Sequence, residues 1–278
     1  MDMAAASLNS KPKTSLIIST YNWPEALNLC LQSVCSQSVL PDEVIIADDG
    51  STIETFDMIE EMKRRFPVPL IHVWQEDDGF QLAKIRNKAI ARASHEYIVQ
   101  VDGDLILHEN FIEDHLELSK PGTFIAGSRV IMNKELSEKM LFSKETRMGF
   151  FVSGMSNIMN RFWIKSLRNY FADHYKPHDI RKLRGCNMAF WREDLIRVNG
   201  YNEDFFGWGR EDNEIAARLI NIGVYKRAMK FGGIVFHLYH PEKCRERCIE
   251  NEQRLAQTVT NKIIYCNRGV NQYEYVTV

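Results

Sequence analysis

The sequence lacks a strong excess of charge of either sign. Its 278 residues contain 37 acidic and 35 basic side chains, which leaves a formal net charge of −2. Domains that bind nucleic acid usually show a clear surplus of lysine and arginine. We therefore expect no nucleic-acid partner, and any binding of anions must depend on a local group of basic residues.

Long apolar runs, a secretory leader and a dense set of cysteines are also missing. No segment reaches the roughly 20 apolar residues that cross a bilayer, and the start, MDMAAASLNSKPK, has no apolar signal core. The six cysteines form no CxxC pair and are too few for a disulfide framework. We expect a cytoplasmic protein in a reducing compartment.

The first half of the sequence alternates short β-rich runs with amphipathic helices. Crossovers of this kind join neighbouring parallel strands, so the pattern predicts an α/β fold with a mainly parallel central sheet flanked by helices. The predicted strands are 15–20, 43–47, 70–74 and 97–101. The predicted helices begin at Pro24 and cover 52–66 and 81–93.

The second half is less regular. A further strand is predicted over 124–132, and the spacing of apolar residues predicts an amphipathic helix over 161–176. The segment 211–222 predicts a helix that ends before Gly223, and a last helix is predicted over 242–258. The residues at helical spacing in 161–176 are Trp163, Leu167, Tyr170 and His174.

Polar residues, most of them acidic, follow the predicted strands of the first half. Ligands of open parallel sheets bind at the carboxyl ends of the strands, so these residues mark the expected binding edge. A nucleotide phosphate could not lie among so many carboxylates without a cation. The residues concerned are Asn22, Asp48, Asp49, Asp78, Asp102, Gly103 and Asp104.

The triplet Asp102-Gly103-Asp104 places two carboxylates on one turn after a strand. Such a pair suits a hard divalent cation that keeps open positions for phosphate oxygens, although Asp and Gly are also common in simple turns. His237 and His240 follow a second apolar run and could add imidazole ligands, which would favour Mn²⁺ over Mg²⁺. The alternative for the two histidines is a structural pair at the surface or in the core.

The segment 205–212, FFGWGRED, combines an aromatic side chain with adjacent acids. Trp208 lies between two glycines, which indicates close backbone approach or unusual dihedral angles, and its ring could stack on a sugar. Glu211 and Asp212 begin a predicted helix, where they could serve only as caps. Next to an aromatic side chain, they are more typical of a general base with an acceptor-binding neighbour.

Several motifs together resemble the inverting glycosyltransferases of family 2, which have the GT-A fold. They are SLIISTYNW, EVIIADDGS, DDGFQLAKIRNKAI, VDGD and NMAFWREDLIRVNGYNEDFFGWGREDNEI. The C-terminal half is similar to β-1,4-galactosyltransferases, and the resemblance spans about 14–240. It implies a nucleotide-diphospho-sugar transferase fold in a single catalytic domain over 1–278. That domain would have a nucleotide-binding half (14–107), a metal and acceptor half (108–240) and a helical tail (241–278).

The resemblance also implies roles for individual residues. Asp212 corresponds to the catalytic base, with Glu211, Trp208 and Gly209 at the acceptor. The implied metal ligands are Asp102, Asp104, His237 and His240, with Mn²⁺ as the ion and Mg²⁺ as the alternative. The implied contacts to the nucleotide-sugar are Thr20, Tyr21, Asn22, Asp48, Asp49, Asp78, Phe80, Lys84, Arg86, Asp102 and Gly103. Leu82 stands where the most similar galactosyltransferases have arginine, so their donor contacts are not carried over.

The activity implied by the resemblance is metal-dependent, inverting transfer of a galactose-like or N-acetylgalactosamine-like sugar from a UDP-sugar. The acceptor would be a hydroxyl of a glycan or lipid-linked saccharide, in polysaccharide or glycoconjugate synthesis. A nucleotidyltransferase is the rival enzyme, but it would need a glycine-rich phosphate loop where the sequence has TYNWPE. A catalytically silent glycan-binding protein is the third hypothesis, and its mark would be loss of acids that are all present here.

The segment 161–184 contains seven basic and two acidic residues, and no family motif matches it. It could bind an anionic membrane face or a diphospho-lipid acceptor, with aromatic side chains entering the interface. These aromatic residues are Phe162, Trp163, Tyr170 and Phe171. The alternative is a helix packed on the domain with a solvated basic side. Peripheral contact with the inner membrane face, the oligomeric state and the sugar that is donated stay open at this point.

Overall fold

The computed structural model describes residues 11–149, 152–181, 183–241 and 247–273. The strands are β1 (Thr14–Thr20), β2 (Glu43–Asp48), β3 (Leu70–Trp74), β4 (Tyr97–Asp102), β5 (Leu105–Leu107), β6 (Thr123–Ala126), β7 (Val130–Met132), β8 (Met155–Ser156), β9 (Asn187–Trp191), β10 (Tyr225–Ala228) and β11 (Val235–His237). The helices are α1 (Pro24–Cys35), α2 (Ile53–Lys63), α3 (Leu82–Arg92), α4 (Phe111–Leu118), α5 (Lys134–Ser143), α6 (Lys165–His174), α7 (Arg192–Arg197), α8 (Glu211–Asn221) and α9 (Cys248–Thr260).

Seven strands form the larger of the two sheets in the described part of the chain. Their order is β10-β6-β9-β4-β1-β2-β3, and every neighbouring pair is parallel except those of β9 with β4 and β6. The predicted α/β fold with a mainly parallel sheet is confirmed. Strands from both halves of the chain contribute to this sheet, so the predicted nucleotide and acceptor halves share one layer.

Apolar packing on both faces of the sheet explains its uninterrupted hydrophobic strands. Side chains of β1 alternate between two core clusters, with Leu16 and Ile18 in one and Ile17 in the other. Leu27 of α1 belongs to the first cluster, and Ile85 of α3 belongs to the second. Strands that are buried on both faces are typical of parallel sheets covered by crossover helices.

A smaller sheet of four strands, in the order β5-β11-β7-β8, lies beyond the end of β4. Strand β5 begins directly after the Asp102-Gly103-Asp104 turn and pairs antiparallel with β11, so that His237 is opposite Leu105. The backbone N–H of Leu238 donates to the carbonyl of Asp104 at 3.0 Å. This pairing places the late histidines beside the acidic turn.

Two predictions for the second half were wrong in detail. The single strand predicted over 124–132 is divided between β6 in the larger sheet and β7 in the smaller one. The chain changes sheets at Gly127, where the side chain of Asn187 lies so close that a Cβ atom would be 2.3 Å from it. That contact comes from a distant strand, so the local apolar pattern could not reveal the break.

The predicted amphipathic helix over 161–176 is shorter, because only α6 is α-helical. Its buried residues are Arg168 and Ala172, whereas Trp163 and Tyr170 are 45% and 59% exposed. The face with aromatic residues at helical spacing is therefore the exposed one. The predicted helix over 242–258 corresponds to α9, and its first five residues lie outside the described ranges.

None of the helices in the described ranges combines the length and the apolar character that a bilayer crossing needs.

Candidate active site

The turns after β1, β2 and β4 are bonded to one another at the carboxyl edge of the larger sheet. The N–H of Gly103 donates to the carbonyl of Ser19 at 2.7 Å, and the N–H of Asp49 donates to Thr20 at 3.0 Å. A Cβ atom on Gly103 would lie 3.1 Å from the Ser19 oxygen, so a larger residue there would push the turns apart. The three polar turns thus form one surface.

Asp48 and Asp49 hold this surface together. Asp48 is fully buried, accepts from the N–H of Ser51 at 2.8 Å and lies 3.0 Å from Nε2 of His72. Asp49 accepts from Nε2 of Gln75 at 2.6 Å and from the N–H of Gln81 at 2.9 Å. The Asp49 carboxylate therefore shapes the loop 75–81, and the Asp48 carboxylate fixes the turn after β2 and contacts β3.

Asn22 has a similar bracing role in the first turn. It adopts a left-handed conformation with a φ of 47°, and its side-chain oxygen accepts from the N–H of Thr52 at 2.9 Å. Its own N–H donates to Oγ of Ser51 at 2.8 Å. The next residue back, Tyr21, donates its hydroxyl to Asp77 at 2.8 Å and so connects the first turn to the loop 75–81.

A polar recess of about 460 Å³ lies between the loop 75–81 and α3. Of the predicted nucleotide contacts, Asp78 and Lys84 line it, and Tyr21 reaches it through Asp77. The carbonyl of Phe80 accepts from the N–H of Gly207 at 3.2 Å, which connects this loop to the aromatic segment 205–210. The full lining is Gln75, Glu76, Asp77, Asp78, Lys84 and Lys88.

Arg86 of α3 lies at the centre of the site, and its side chain is not exposed to solvent. Its side chain is 1% exposed, and its guanidinium donates to Oδ1 of Asp212 at 2.9 Å and to Oδ1 of Asp102 at 3.1 Å. Oε1 of Glu211 is 3.9 Å away, and Nε donates to Ser19. A single cation therefore offsets the charge of carboxylates from β4 and α8.

Asp212 is held by residues that the sequence motifs did not single out. Its Oδ1 lies 3.4 Å from the hydroxyl of Tyr201, and that hydroxyl donates to Gln100 at 2.9 Å. Gly185 packs against the carboxylate so closely that a Cβ atom would be 1.8 Å from Oδ2. No local signal marks these contacts, because the three residues come from separate parts of the chain.

Glu211 lies in a buried environment beside another acid. Its Oε2 is buried without a hydrogen-bond partner among the described residues, and the side chain is 9% exposed. Burial, followed by the adjacent charge of Asp212, raises the pKa of Glu211 to about 8, although Arg86 acts in the opposite direction. Near neutral pH the carboxyl group therefore carries a proton and can donate a hydrogen bond.

Three of the four predicted metal ligands converge. Oδ2 of Asp104 lies 3.5 Å from Nε2 of His237 and 3.3 Å from Nε2 of His240, and one ligand atom from each residue fits within 4.8 Å of the others. Oδ1 of Asp104 is buried and has no hydrogen-bond partner among the residues that the structure describes. Nδ1 of His240 is 2.8 Å from the carbonyl of Pro241, which favours the tautomer with its lone pair on Nε2. Asp102, the fourth predicted ligand, faces Arg86.

Helix α9 holds the aromatic segment 205–210 in place through hydrogen bonds. Gly207 and Gly209 have φ angles of 70° and 108°, which glycine adopts readily, and Trp208 between them is 45% exposed. Nδ2 of Asn251 in α9 donates to the carbonyls of Phe206 at 3.2 Å and Gly209 at 2.9 Å. Asn251 was missed from the sequence, because an isolated asparagine in a helix carries no functional signal.

Comparison with known proteins places this architecture in a family. The model described as glycosyl transferase family 2 matches residues 15–198, which is more than half of the chain. This chain belongs to glycosyl transferase family 2. A second model, described as the N-terminal domain of galactosyltransferase, matches residues 166–241 of this family 2 glycosyltransferase. The resemblance inferred from the motifs is confirmed in both halves.

Relatives of this family 2 glycosyltransferase include polysaccharide synthases. The chain is 27% identical to the chondroitin synthase of Escherichia coli, over 95% of this chain and 40% of the relative. It is 25% identical to the chondroitin synthase of Pasteurella multocida (strain Pm70), over 92% of this chain and 27% of the relative. The chain thus spans less than half the length of these relatives.

Solved structures confirm the GT-A fold. The mannosyltransferase PcManGT from Pyrobaculum calidifontis, in complex with GDP-Man and Mn²⁺, superposes with a TM-score of 0.61 at 20% identity, over 92% of this chain and 65% of that protein. Residues 1–349 of S. aureus TarS in complex with UDP superpose with a TM-score of 0.60 at 15% identity, over 94% of this chain and 68% of that protein.

Proposed function

We propose that this family 2 glycosyltransferase moves a sugar from a UDP-sugar to a hydroxyl of a glycan or lipid-linked saccharide, with inversion, in polysaccharide or glycoconjugate synthesis. The observation that carries the proposal is the bridge formed by Arg86. Its guanidinium contacts Asp212 at 2.9 Å and Asp102 at 3.1 Å, and Asp102 is two residues from Asp104. A candidate base and a candidate metal site therefore lie at one edge of the sheet.

The donor is proposed from the relatives and from the recess beside α3. Chondroitin synthases are among the relatives, TarS has been solved in complex with UDP, and a galactosyltransferase domain model matches 166–241. These matches support a UDP-sugar of the galactose or N-acetylgalactosamine kind. Lys84, Asp78 and Tyr21 lie in or beside the recess where we place the nucleotide.

A divalent cation fits the residues present. Asp104 has a buried oxygen without a partner, and His237 and His240 direct ring nitrogens toward its other oxygen. Two imidazoles in three ligands favour Mn²⁺ over Mg²⁺, because Mg²⁺ prefers oxygen. When bound, the cation would supply Lewis-acid stabilisation for the diphosphate leaving group. Coordination of the cation by Asp102 as a further ligand stays a prediction.

Asp212 is the proposed general base. Since Oδ1 accepts from Arg86, Oδ2 is the oxygen that takes the proton from the acceptor hydroxyl. Gly185 packs against that oxygen, and its lack of a side chain leaves room for the carboxylate. As the acceptor oxygen bonds to C1 of the sugar, the bond from C1 to the diphosphate oxygen breaks, and this single displacement inverts the anomeric configuration.

The neighbours of Asp212 orient the acceptor. Glu211 orients the acceptor hydroxyls, and the exposed ring of Trp208 packs on a sugar face. Their contribution is positioning, which can supply a large part of the barrier reduction when two substrates must meet.

UDP release from a panel of UDP-sugars tests the proposal, with Mn²⁺, Mg²⁺ or EDTA and with or without sugar acceptors. We expect one donor to be consumed only with a divalent cation. Asp212→Asn should lower turnover by about 10²-fold or more while UDP binding by calorimetry is retained. Asp57→Asn, at an exposed position of α2, is the matched control. Wild-type turnover in Asp212→Asn would refute the assignment of Asp212 as the base. If no UDP-sugar is consumed and UDP binding does not depend on Mn²⁺, the proposed activity is refuted.

A peripheral contact with an anionic membrane face, from the cytoplasmic side, is the second part of the proposal. Trp163, which precedes α6, and Tyr170 within α6 are 45% and 59% exposed. Arg168 and Lys165 are already paired with acidic residues of α4, so the apolar side chains must supply most of the binding. Trp163→Ser should reduce sedimentation with anionic liposomes, and Trp74→Ser, at another exposed tryptophan, should not. Absence of sedimentation at low salt would exclude the contact.

A further inference from the structure

A second cavity, of about 320 Å³, is strongly basic and is not used by the chemistry above. It lies between the connection from β6 to β7, the segment after α6 and the end of β10. Six charged side chains line it, five of them basic and one acidic. They are Arg129, Lys176, Asp179, Arg184, Lys226 and Lys230.

Four of the five basic side chains of this basic cavity form no ion pair with a carboxylate in the described ranges. Nε of Arg129 is buried without a hydrogen-bond partner in that part of the chain, and its NH1 lies 3.9 Å from the sulfur of Cys186. Arg129 also interacts electrostatically with Asp102 and Asp104. Neither Arg184 nor Lys230 forms an ion pair with any residue in the described ranges. The acid of the lining, Asp179, accepts from the N–H of Arg181 at 2.9 Å and from its guanidinium at 3.1 Å, and it also lies 3.9 Å from Nζ of Lys176.

The cavity adjoins the proposed base through one short segment. Arg184 lines the cavity, and the next residue, Gly185, packs against the carboxylate of Asp212. On the other wall, the N–H of Gly127 donates to the carbonyl of Asn187 at 2.8 Å. Arg184 and Gly185 therefore connect the wall of the cavity directly to the proposed base along the chain.

The order of strands places the cavity opposite the donor recess. The recess follows β3 at one end of the seven-stranded sheet, and the cavity is lined from β6 and β10 at the other end. The Arg86 bridge lies between them, at the end of β4. The cavity and the donor recess therefore lie on opposite sides of the Arg86 bridge in the order of strands, so the cavity stays available to the second substrate when the donor occupies the recess.

The remaining lining suits a saccharide rather than a bare ion. Asn157, Asn160 and Tyr175 supply amide groups and an aromatic ring, and Nζ of Lys230 lies 4.0 Å from the centre of that ring. Aromatic faces and amides are common contacts of sugar rings and hydroxyls. The volume is at the lower end of the roughly 300–1,000 Å³ typical of small-molecule sites.

We infer that the basic cavity is an acceptor subsite for an acidic glycan, in which the cations bind a carboxylate carried next to the sugar that receives the transfer. This inference rests on the proposed function. Several lysines and arginines with no carboxylate of their own attract such a group, and the attraction weakens with added salt.

Transfer kinetics with a matched pair of acceptors test this subsite. The probes are a tetrasaccharide of alternating glucuronate and N-acetylhexosamine, and the same molecule with its carboxyl groups reduced to alcohols. We expect a KM about tenfold lower for the acidic probe, with the difference shrinking at high salt. Arg184→Gln and Lys230→Gln should each raise KM for the acidic probe about fivefold and leave KM for the reduced probe within twofold.

Arg92→Gln is the matched control, because Arg92 is exposed at the end of α3 that points away from the catalytic edge. It should change neither KM. Equal KM values for the two probes, or equal effects of Arg184→Gln on both, would overturn the subsite.

Direct binding separates failure of this inference from failure of the proposed function. UDP release without acceptor reports on the donor reaction alone, and calorimetry with the tetrasaccharide reports on the cavity even if no donor is consumed. Binding of the acidic probe that Arg184→Gln weakens supports the subsite in either case. If a prenyl diphosphate binds through Arg184 and Lys230 while the tetrasaccharide does not, the anion belongs to a lipid carrier and the glycan assignment is wrong.

Discussion

Replacing Arg86 with methionine should be among the most disruptive single changes in this protein. The guanidinium is 2.9 Å from Asp212, 3.1 Å from Asp102 and 3.9 Å from Glu211. At an effective dielectric constant near 20, a contact of about 3 Å corresponds to about 5 kcal/mol of attraction, most of which offsets desolvation. The contact with Asp102 contributes less, because that side chain is 33% exposed. We expect Arg86→Met to lower the free energy of unfolding by about 3–5 kcal/mol.

A double-mutant cycle in urea would isolate the charge effect from the loss of packing. Asp212→Asn removes the nearest charge that Arg86→Met leaves unpaired, so the double variant should recover about 2 kcal/mol relative to additivity. Arg168→Met is the matched control, because Arg168 is equally buried but pairs with Asp114 and Glu117. Its combination with Asp212→Asn should be additive.

Two results would refute this reasoning. A loss below about 1 kcal/mol for Arg86→Met would mean that the carboxylates are stabilised by solvent rather than by the guanidinium. Strict additivity of Arg86→Met with Asp212→Asn would mean that the arginine acts through packing alone.

Three further predictions concern the same site. Because Glu211 titrates at about 8 in the folded protein and about 4.5 when unfolded, the folded state binds the extra proton between these values and loses stability as pH rises through them. Glu211→Gln should therefore gain stability relative to wild type as pH rises from 5 to 9 in urea titrations, and a constant difference would contradict the shift. Gly185→Ala should displace Asp212, since its Cβ would lie 1.8 Å from Oδ2, and reduce turnover about 10²-fold with calorimetric UDP binding unchanged. Asn251→Ala removes two hydrogen bonds from the segment 205–210. It should lower the free energy of unfolding by about 1–3 kcal/mol and raise the acceptor KM. Wild-type values of both quantities would show that α9 does not support the site.

The first four strands of the fold were predictable almost residue by residue. Strand β3 has the predicted bounds, and β1, β2 and β4 each differ by one residue at one end. Buried strands and their turn residues carry local signals, because period and turn chemistry depend on neighbours in sequence. The prediction over 124–132 was wrong because the break at Gly127 depends on Asn187, which belongs to a strand 60 residues later along the chain.

The candidate site was predictable in its residue types but not in its contacts. The acidic triplet and the late histidines were marked by their positions after strands, and the pairing of β5 with β11 brings Asp104 to His237 and His240. The bracing roles of Asp48 and Asp49 were not foreseen. They depend on His72 and on the loop 75–81, whose path is set only when β3 adds to the sheet.

The sequence by itself determined the α/β class, the polar edge at the strand ends and the family to which the chain belongs, because periodicity and motifs are properties of short segments. Only the tertiary structure decided which charges meet. Arg86 and Asp212 are 126 residues apart in the chain, and Asn251 reaches the aromatic segment from α9. Such contacts exist only after the sheet order has brought β4, α3 and α8 together, since a side chain's partner depends on distance in space.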